Sequence, residues 1–372
     1  MVARANSVVT VERVEEVTVE LGPRSYQILV GSALLPLVGP RVAALGHRGR
    51  CALVTSERVG ALYRTPVEAS LRGAGFDPVV VELPDGEEHK TLATLERLYG
   101  ALLEAGIERR SPVVALGGGV IGDLSGFAAA TLLRGVPIVQ VPTTLLAQVD
   151  AAIGGKTGVN HRTGKNLIGA FHQPRAVLAD VDVLRTLPRR EYVAGLAEVV
   201  KYGVIGDAAL FADLERGLDR LLQLDDELLV PVIAACCRQK AAVVAADERE
   251  ESGARAVLNF GHTVGHAVES LTEYRRFLHG EAVAIGMVAA ARVSRRLGIL
   301  DVACEGRIVA LLERLGLPTA FPADFAREAV ALAVEADKKA SGRKIKFVCL
   351  ETLGRTRFER LGAAEIAEKG ME

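Results

Sequence analysis

A chain of 372 residues is longer than one hydrophobic core usually serves and suits two domains. Its 45 basic and 46 acidic residues nearly cancel. The basic residues fall mostly in pairs such as Arg109-Arg110 and Arg189-Arg190, which argues against a nucleic-acid partner. Five cysteines without a Cys-x-x-Cys spacing argue against a disulfide framework and point to a reducing compartment. The longest uncharged stretch, Ser25 to Pro40, is too short for a membrane span and is broken by Gly31 and Pro36. The N-terminus mixes charged and apolar positions and does not read as a signal peptide, so the expectation is a cytoplasmic protein with no membrane partner.

Up to about residue 180, short β-branched runs alternate with helix-like stretches, the pattern of a sheet covered by helices. The predicted strands include 51–55, 79–81, 112–116 and 138–141, with a helix over 92–104. Beyond about Leu184 the chain turns to long Ala, Leu, Val, Glu and Arg runs with helical spacing, notably 207–247, 256–272 and 280–297. The fold class expected is α/β, with an N-terminal α/β domain over 1–184 and a mostly α-helical domain over 185–372.

Several segments carry polar groups of a kind that bind ligands. In Pro84-Asp85-Gly86-Glu87-Glu88-His89-Lys90 a carboxylate and a lysine could meet ribose hydroxyls, although alone the segment reads as a solvated loop. Gly117-Gly118-Gly119-Val120-Ile121-Gly122-Asp123 follows a predicted strand and opens a predicted helix. There small residues let the backbone approach a pyrophosphate, and helix N–H groups favour its charge. The spacing matches neither a Walker loop nor, closely, the dinucleotide fingerprint. Pro142-Thr143-Thr144 follows the next strand, where ligand clefts are commonly lined. From Asp150 to Asn166 the chain is crowded with glycine and with the donors Lys156, Lys165, Asn160 and Asn166, which suit an anionic substrate.

In the second half, His262 and His266 are four apart and share a helix face, and His279 follows in Leu278-His279-Gly280-Glu281. Thr263 stands where a metalloprotease would carry its glutamate, so that activity is not expected. Glu198 and Lys201, three apart, face one way on a helix and read either as an ion pair or as a source of a carboxylate ligand. Two histidines and one carboxylate would leave coordination positions open for catalysis, and spacing alone does not say which two histidines take part.

Taken in order, Leu116–Asp123, Val141–Asn166 with Gly169-Ala170-Phe171, Gly195–Gly203, Leu258–His266 and Leu278–Gly286 resemble the 3-dehydroquinate synthase family of sugar phosphate cyclases, over about Leu53 to Leu350. The resemblance implies an NAD-binding α/β domain, a helical metal-binding domain and an active site in the cleft between them. It implies zinc, with cobalt or another divalent ion as alternatives, on Glu198, His262 and His279. His266 is left for proton transfer or phosphate contact. Glu87, Lys90, Gly118, Gly119, Asp123, Thr143, Thr144 and Lys165 would hold NAD. Asp150, Lys201, Lys240, Arg255 and Asn259 would meet substrate hydroxyls and carboxylate. Lys156 and Asn166, with Arg134 of a neighbouring subunit in a homodimer, would hold the substrate phosphate, and Lys338 is a further candidate for it. The segment Arg249–Arg255 is one residue longer than the family pattern, which bears on the placement of Glu250 and Lys240.

The implied reaction converts the sugar phosphate 3-deoxy-D-arabino-heptulosonate 7-phosphate to 3-dehydroquinate and phosphate, a step of aromatic amino-acid biosynthesis by the shikimate pathway. NAD takes a hydride and returns it. Rival readings are a cyclase with another sugar phosphate or an amino-substituted precursor, a metal-dependent alcohol or glycerol dehydrogenase, and a non-catalytic nucleotide-binding module. The phosphate-binding lysines argue against the dehydrogenase, and Glu198 with three histidines argues against the module.

Overall fold

The computed structural model describes residues 14–337 and 344–371; Lys338 lies outside the described residues. The chain divides into two compact units, Met1–Thr186 with Leu229–Ala241, and Leu187–Leu228 with Ala242–Glu372.

The first unit is built on strands β1 (Val14–Val19), β2 (Tyr26–Gly31), β3 (Gly49–Ser56), β4 (Phe76–Leu83), β5 (Val113–Gly117) and β6 (Ile138–Pro142). A separate antiparallel hairpin, β7 (Lys156–His161) and β8 (Gly164–Phe171), precedes β9 (Ala176–Asp180), which returns to the sheet. The sheet order is β1-β2-β9-β6-β5-β3-β4, parallel throughout except for the edge strand β1. All residues of β5, β6 and β9 are buried, as expected for parallel strands covered on both faces. Alternation along the strands divides the core. Ala52, Val54, Val113 and Ala115 point to one face, beneath α3 (Leu92–Glu104) and α4 (Gly119–Thr131). Cys51, Leu53, Val114 and Leu116 point to the other, beneath α1 (Val38–Ala44) and α2 (Glu57–Gly73). From β3 the chain winds one way to β4, and from β5 it winds the other way to β6, so the turn after β5 lies at a topological switch point.

The second unit is mostly helical: α5 (Arg189–Gly206), α6 (Ala208–Leu222), the ends of α7 (Asp226–Ala246), α8 (His262–Leu271), α9 (His279–Arg296), α10 (Val302–Arg314), α11 (Arg327–Asp337) and α12 (Ala363–Met371). The run predicted over 207–247 is split at Leu224, whose φ is +56°, and Asp225 caps α7 by accepting a hydrogen bond from Glu227 N–H. The run predicted over 256–272 starts late. Ala254–Asn259 is a 3₁₀ turn, and Gly261 at φ +80° separates it from α8. A hairpin, β10 (Ile345–Thr352) with β11 (Arg355–Leu361), interrupts the helical pattern near the C-terminus. Helix α7 is long and apolar enough to cross a membrane, but 56% of its apolar window is buried, as in a core helix.

Candidate active site

In the second unit three helices bring ligand-type side chains together. Glu198 and Lys201 lie on α5, His262 opens α8 with His266 one turn later, and His279 opens α9. Glycines set how closely these helices approach. A Cβ on Gly280 would stand 1.8 Å from Ala194 O of α5, and one on Gly286 would stand 2.0 Å from Gly261 O. Any side chain there would push α9 off its neighbours.

Glu198 is fully buried, and its carboxylate pairs with Lys201, itself only 1% exposed. Glu198 Oε1 lies 3.4 Å from His262 Nε2 and 3.6 Å from His279 Nε2. One ligand atom from each of Glu198, His262 and His279 falls within 4.8 Å of the others. Beyond its ion pair with Lys201, neither Glu198 oxygen accepts a hydrogen bond of good geometry, and a shared cation would satisfy the remaining lone pairs. Burial would push the Glu198 carboxyl up, but Lys201, His262 and His279 outweigh it and hold it well below the usual carboxylate range. Burial, with Lys201 beside it, holds the His262 imidazole down to about 3. His262 Nδ1 lies 3.2 Å from Phe260 O, which can only accept, so the neutral ring keeps its proton there and leaves Nε2 free as a ligand. His279 goes the other way. Burial disfavours its charge, but Glu198 and Glu269 override it and raise it to about 10. His266 is half-buried, its ring centroid 5.5 Å from that of His262 and 6.3 Å from that of His279.

Arg255 is buried in the turn before α8, with Nη1 donating to Glu248 O at 2.9 Å and Nε 3.8 Å from Glu250 Oε1. The turn is held by Asp247, whose carboxylate accepts from the N–H groups of Glu251, Ser252 and Ala254 at 2.9, 3.2 and 3.0 Å. Burial opposes its ionisation, but hydrogen bonds from the Ser252 side chain and from the backbone of Ser252, Arg255 and Glu251 hold its carboxyl down at about 2. Asn259 is exposed at the end of the turn.

The first unit gathers the other candidates at the carboxyl ends of its strands. After β5, Gly118 opens α4, and a Cβ there would meet Thr144 Cγ2 at 3.0 Å; Gly119 would meet only Ala151 Cβ at an ordinary 3.4 Å. After β6, Thr143 N–H donates to Gly117 O at 3.0 Å, and Thr144 Oγ1 accepts from Ala147 N–H at 3.2 Å. A π-helical turn, Ala147–Ala151, then presents Asp150, which pairs with the buried Lys240 of α7. After β4, Lys90 is buried and donates at 2.5 Å both to Asp123 Oδ2 of α4 and to Asn166 Oδ1 of β8. Burial pushes the Asp123 carboxyl up, with the Lys90 ammonium against it pulling the other way. Glu87 Oε1 accepts from Asn160 Nδ2 at 2.8 Å. Lys156 is exposed at the start of β7, and Lys165 is half-buried in β8. Arg134 is exposed in a turn where it and Leu133 both adopt positive φ.

Two partners escaped the sequence reading. Glu269 Oε2 lies 3.4 Å from His279 Nδ1, and its place seven residues after His262 on one helix face is a signal that spacing carries. Asp247 gave none, because what it binds is backbone four to eight residues away.

Two family models, described as 3-dehydroquinate synthase N-terminal and 3-dehydroquinate synthase C-terminal, match residues 80–194 and 195–340. A curated 3-dehydroquinate synthase of Geobacter metallireducens is 56% identical over 347 residues, 93% of this chain and 96% of the relative. One of Nostoc punctiforme is 51% identical over 340 residues, 91% of this chain and 93% of the relative. Among solved structures, 2-epi-5-epi-valiolone synthase of Streptomyces hygroscopicus, with NAD+ and Zn2+ bound, is similar with a TM-score of 0.85 at 29% identity over 96% of this chain and 98% of that one. A 2-deoxy-scyllo-inosose synthase complexed with carbaglucose-6-phosphate, NAD+ and Co2+ is similar with a TM-score of 0.83 at 26% identity over 95% and 98%.

Proposed function

The chain belongs to the 3-dehydroquinate synthase family, and from that premise we propose how its own residues carry out the conversion of 3-deoxy-D-arabino-heptulosonate 7-phosphate to 3-dehydroquinate and phosphate. The observation that carries the reading is the buried Glu198 carboxylate facing two imidazole Nε2 atoms, one of them on a neutral ring with its lone pair free. Glu198, His262 and His279 are a donor set that suits a zinc or cobalt ion with positions left open. The glycine at position 118, where a Cβ would press against Thr144 Cγ2 at 3.0 Å, suits close approach of the pyrophosphate of NAD to the start of α4. When bound, NAD supplies a hydride acceptor that ends each turnover unchanged, and the divalent ion polarises the hydroxyl to be oxidised.

The remaining roles fall to side chains. Glu87, Lys90, Asp123, Thr143, Thr144 and Lys165, with Gly118 and Gly119, would hold the dinucleotide. Asp123 and Lys90 neutralise each other, which keeps Lys90 placed on Asn166. With its Oδ1 occupied by Lys90, Asn166 keeps its Nδ2 hydrogens for a phosphate oxygen, and Lys156, exposed at the start of β7, would add its ammonium. Asp150, positioned by Lys240, would accept from a substrate hydroxyl. Lys201, Arg255 and Asn259 would meet the carboxylate and hydroxyls, and His266 would carry the proton at the substrate atom it faces. Lys338, outside the described residues, stays a candidate for the phosphate.

As part of the same proposal the enzyme works in the cytoplasm as a homodimer. Four of its five free cysteines are buried, in keeping with a reducing compartment. The decisive assay supplies the heptulosonate phosphate with catalytic NAD and follows phosphate and NADH together. Phosphate released without net NADH is the expected result, and steady accumulation of NADH would replace this reading with that of a dehydrogenase.

A further inference from the structure

In the donor-rich hairpin β7–β8, Asn160 has no part assigned to it in the proposed reaction. The ladder is regular from Lys156↔Phe171 to Val159↔Ile168, then shifts, so that His161 pairs with Gly164. The shift leaves extra residues on the β8 side, among them Asn166, whose φ is +55°. At such a bulge a backbone N–H loses its ladder partner. Here Asn160 Oδ1 supplies a replacement, accepting from Asn166 N–H at 2.9 Å. The other half of the same amide, Asn160 Nδ2, donates to Glu87 Oε1 at 2.8 Å. Its backbone N–H donates to Lys90 O at 2.8 Å. Both ends of this half-buried residue's side-chain amide, and its backbone N–H, therefore tie to the segment 87–90 or to the strained residue 166.

We infer that Asn160 is a positioning residue that locks the loop assigned to NAD, at Glu87, to the residue assigned to the substrate phosphate, at Asn166. The inference rests on the reading of the site proposed above. An amide is required, because one contact needs a donor and the other an acceptor within a single planar group. A carboxylate at this position could accept from Asn166 N–H but would repel Glu87. Protonated, it could do both again. The charged groups that bear on the position are Glu87 against it, Lys90 with Asp123 behind Asn166, and His161, Arg162 and Lys165 in the hairpin itself.

The test uses the metal-loaded full chain and two probes, NAD by direct titration and inorganic phosphate as a product inhibitor against the sugar phosphate. Asn160→Ala is expected to weaken both by a similar factor, on the order of tenfold, as for loss of hydrogen bonds to a charged group and to a strained backbone. Asn160→Asp is expected to show the same joint loss at pH 8 and to recover part of it, relative to wild type at the same pH, as the solution is brought down toward pH 5, where a carboxyl raised by Glu87 above its ordinary value of about 3.9 begins to take a proton. A loss confined to one probe, or an Asn160→Asp deficit that does not change with pH, overturns the inference. Should Asn160→Ala fail to fold, the pH response of Asn160→Asp decides it within one protein. Failure of the parent reading would be separately visible, because wild type would then release no phosphate with catalytic NAD.

Discussion

His262 and His279 are chemically identical side chains that share one carboxylate and are driven in opposite directions. His262 meets Lys201 and a carbonyl and stays neutral above about 3. His279 lies between Glu198 and Glu269 and, without a metal ion, keeps its proton up to about 10. The sign follows from the raised value. The ion-pair stabilisation from His279 in metal-free protein is complete below the ordinary histidine value of 6.5 and is lost as pH rises through about 10. A divalent ion must displace that proton. Zinc binding at pH 7.5 is therefore expected to release about one proton per ion, measurable by calorimetry in buffers of different ionisation enthalpy, and to weaken as pH falls. Release of none would mean that Glu269 does not hold the proton on His279. From the sequence, the clustering of three histidines was legible, and so was the helix face that His262 and His266 share. What spacing could not supply was which imidazole faces a carbonyl and which a second carboxylate, because the carbonyl comes from the turn before α8 and the carboxylate reaches His279 from a neighbouring helix.

At the scale of elements, the four strands predicted in the first unit form as β3, β4, β5 and β6, whereas β1, β2, β7, β8 and β9 were not named from the sequence. The helix predicted over 92–104 forms there, with Thr91 capping it by accepting from Thr94 N–H. The segment from Asp150 to Asn166 has a loop-like composition but forms a π-helical turn and a hairpin, since its alternation is masked by glycine and its ladder is completed by side chains. The helical runs of the second half broke at Leu224 and Gly261, where positive φ rather than any change in hydrophobicity ends them. Glycine matters most where helices touch. Gly280→Ala would place a methyl 1.8 Å from backbone that cannot yield, and is expected to destabilise by on the order of 3 kcal/mol and to lower zinc content together with melting temperature. Gly100→Ala in α3 is the control. Nothing lies within 4 Å of its added Cβ, and helix propensity predicts a gain of about 0.5–1 kcal/mol. Equal behaviour of the two variants in thermal melts would remove the glycine contact as the cause of the ligand geometry.

For the whole molecule, the two-part plan was visible in composition, whereas a single cut near residue 184 had no means of showing that Leu229–Ala241 groups with the first unit. The exposed Arg134, proposed to serve a neighbouring subunit, makes a prediction about mixtures. Arg134→Ala and His262→Ala should each be nearly inactive alone. Unfolded, mixed in equal amounts and refolded, they should regain about a quarter of wild-type activity, since half the dimers are mixed and one site in each is complete. A mixture as inactive as its parents would put Arg134 in its own subunit's site or outside any. The glycine contacts of α9 have one more consequence. The three ligand side chains are held in register by backbone apposition, so stripping the metal should leave the helices where they are. Recharging the apoenzyme is then a docking event rather than a folding event, and a chelator should act on it as a reversible switch and not as a denaturant.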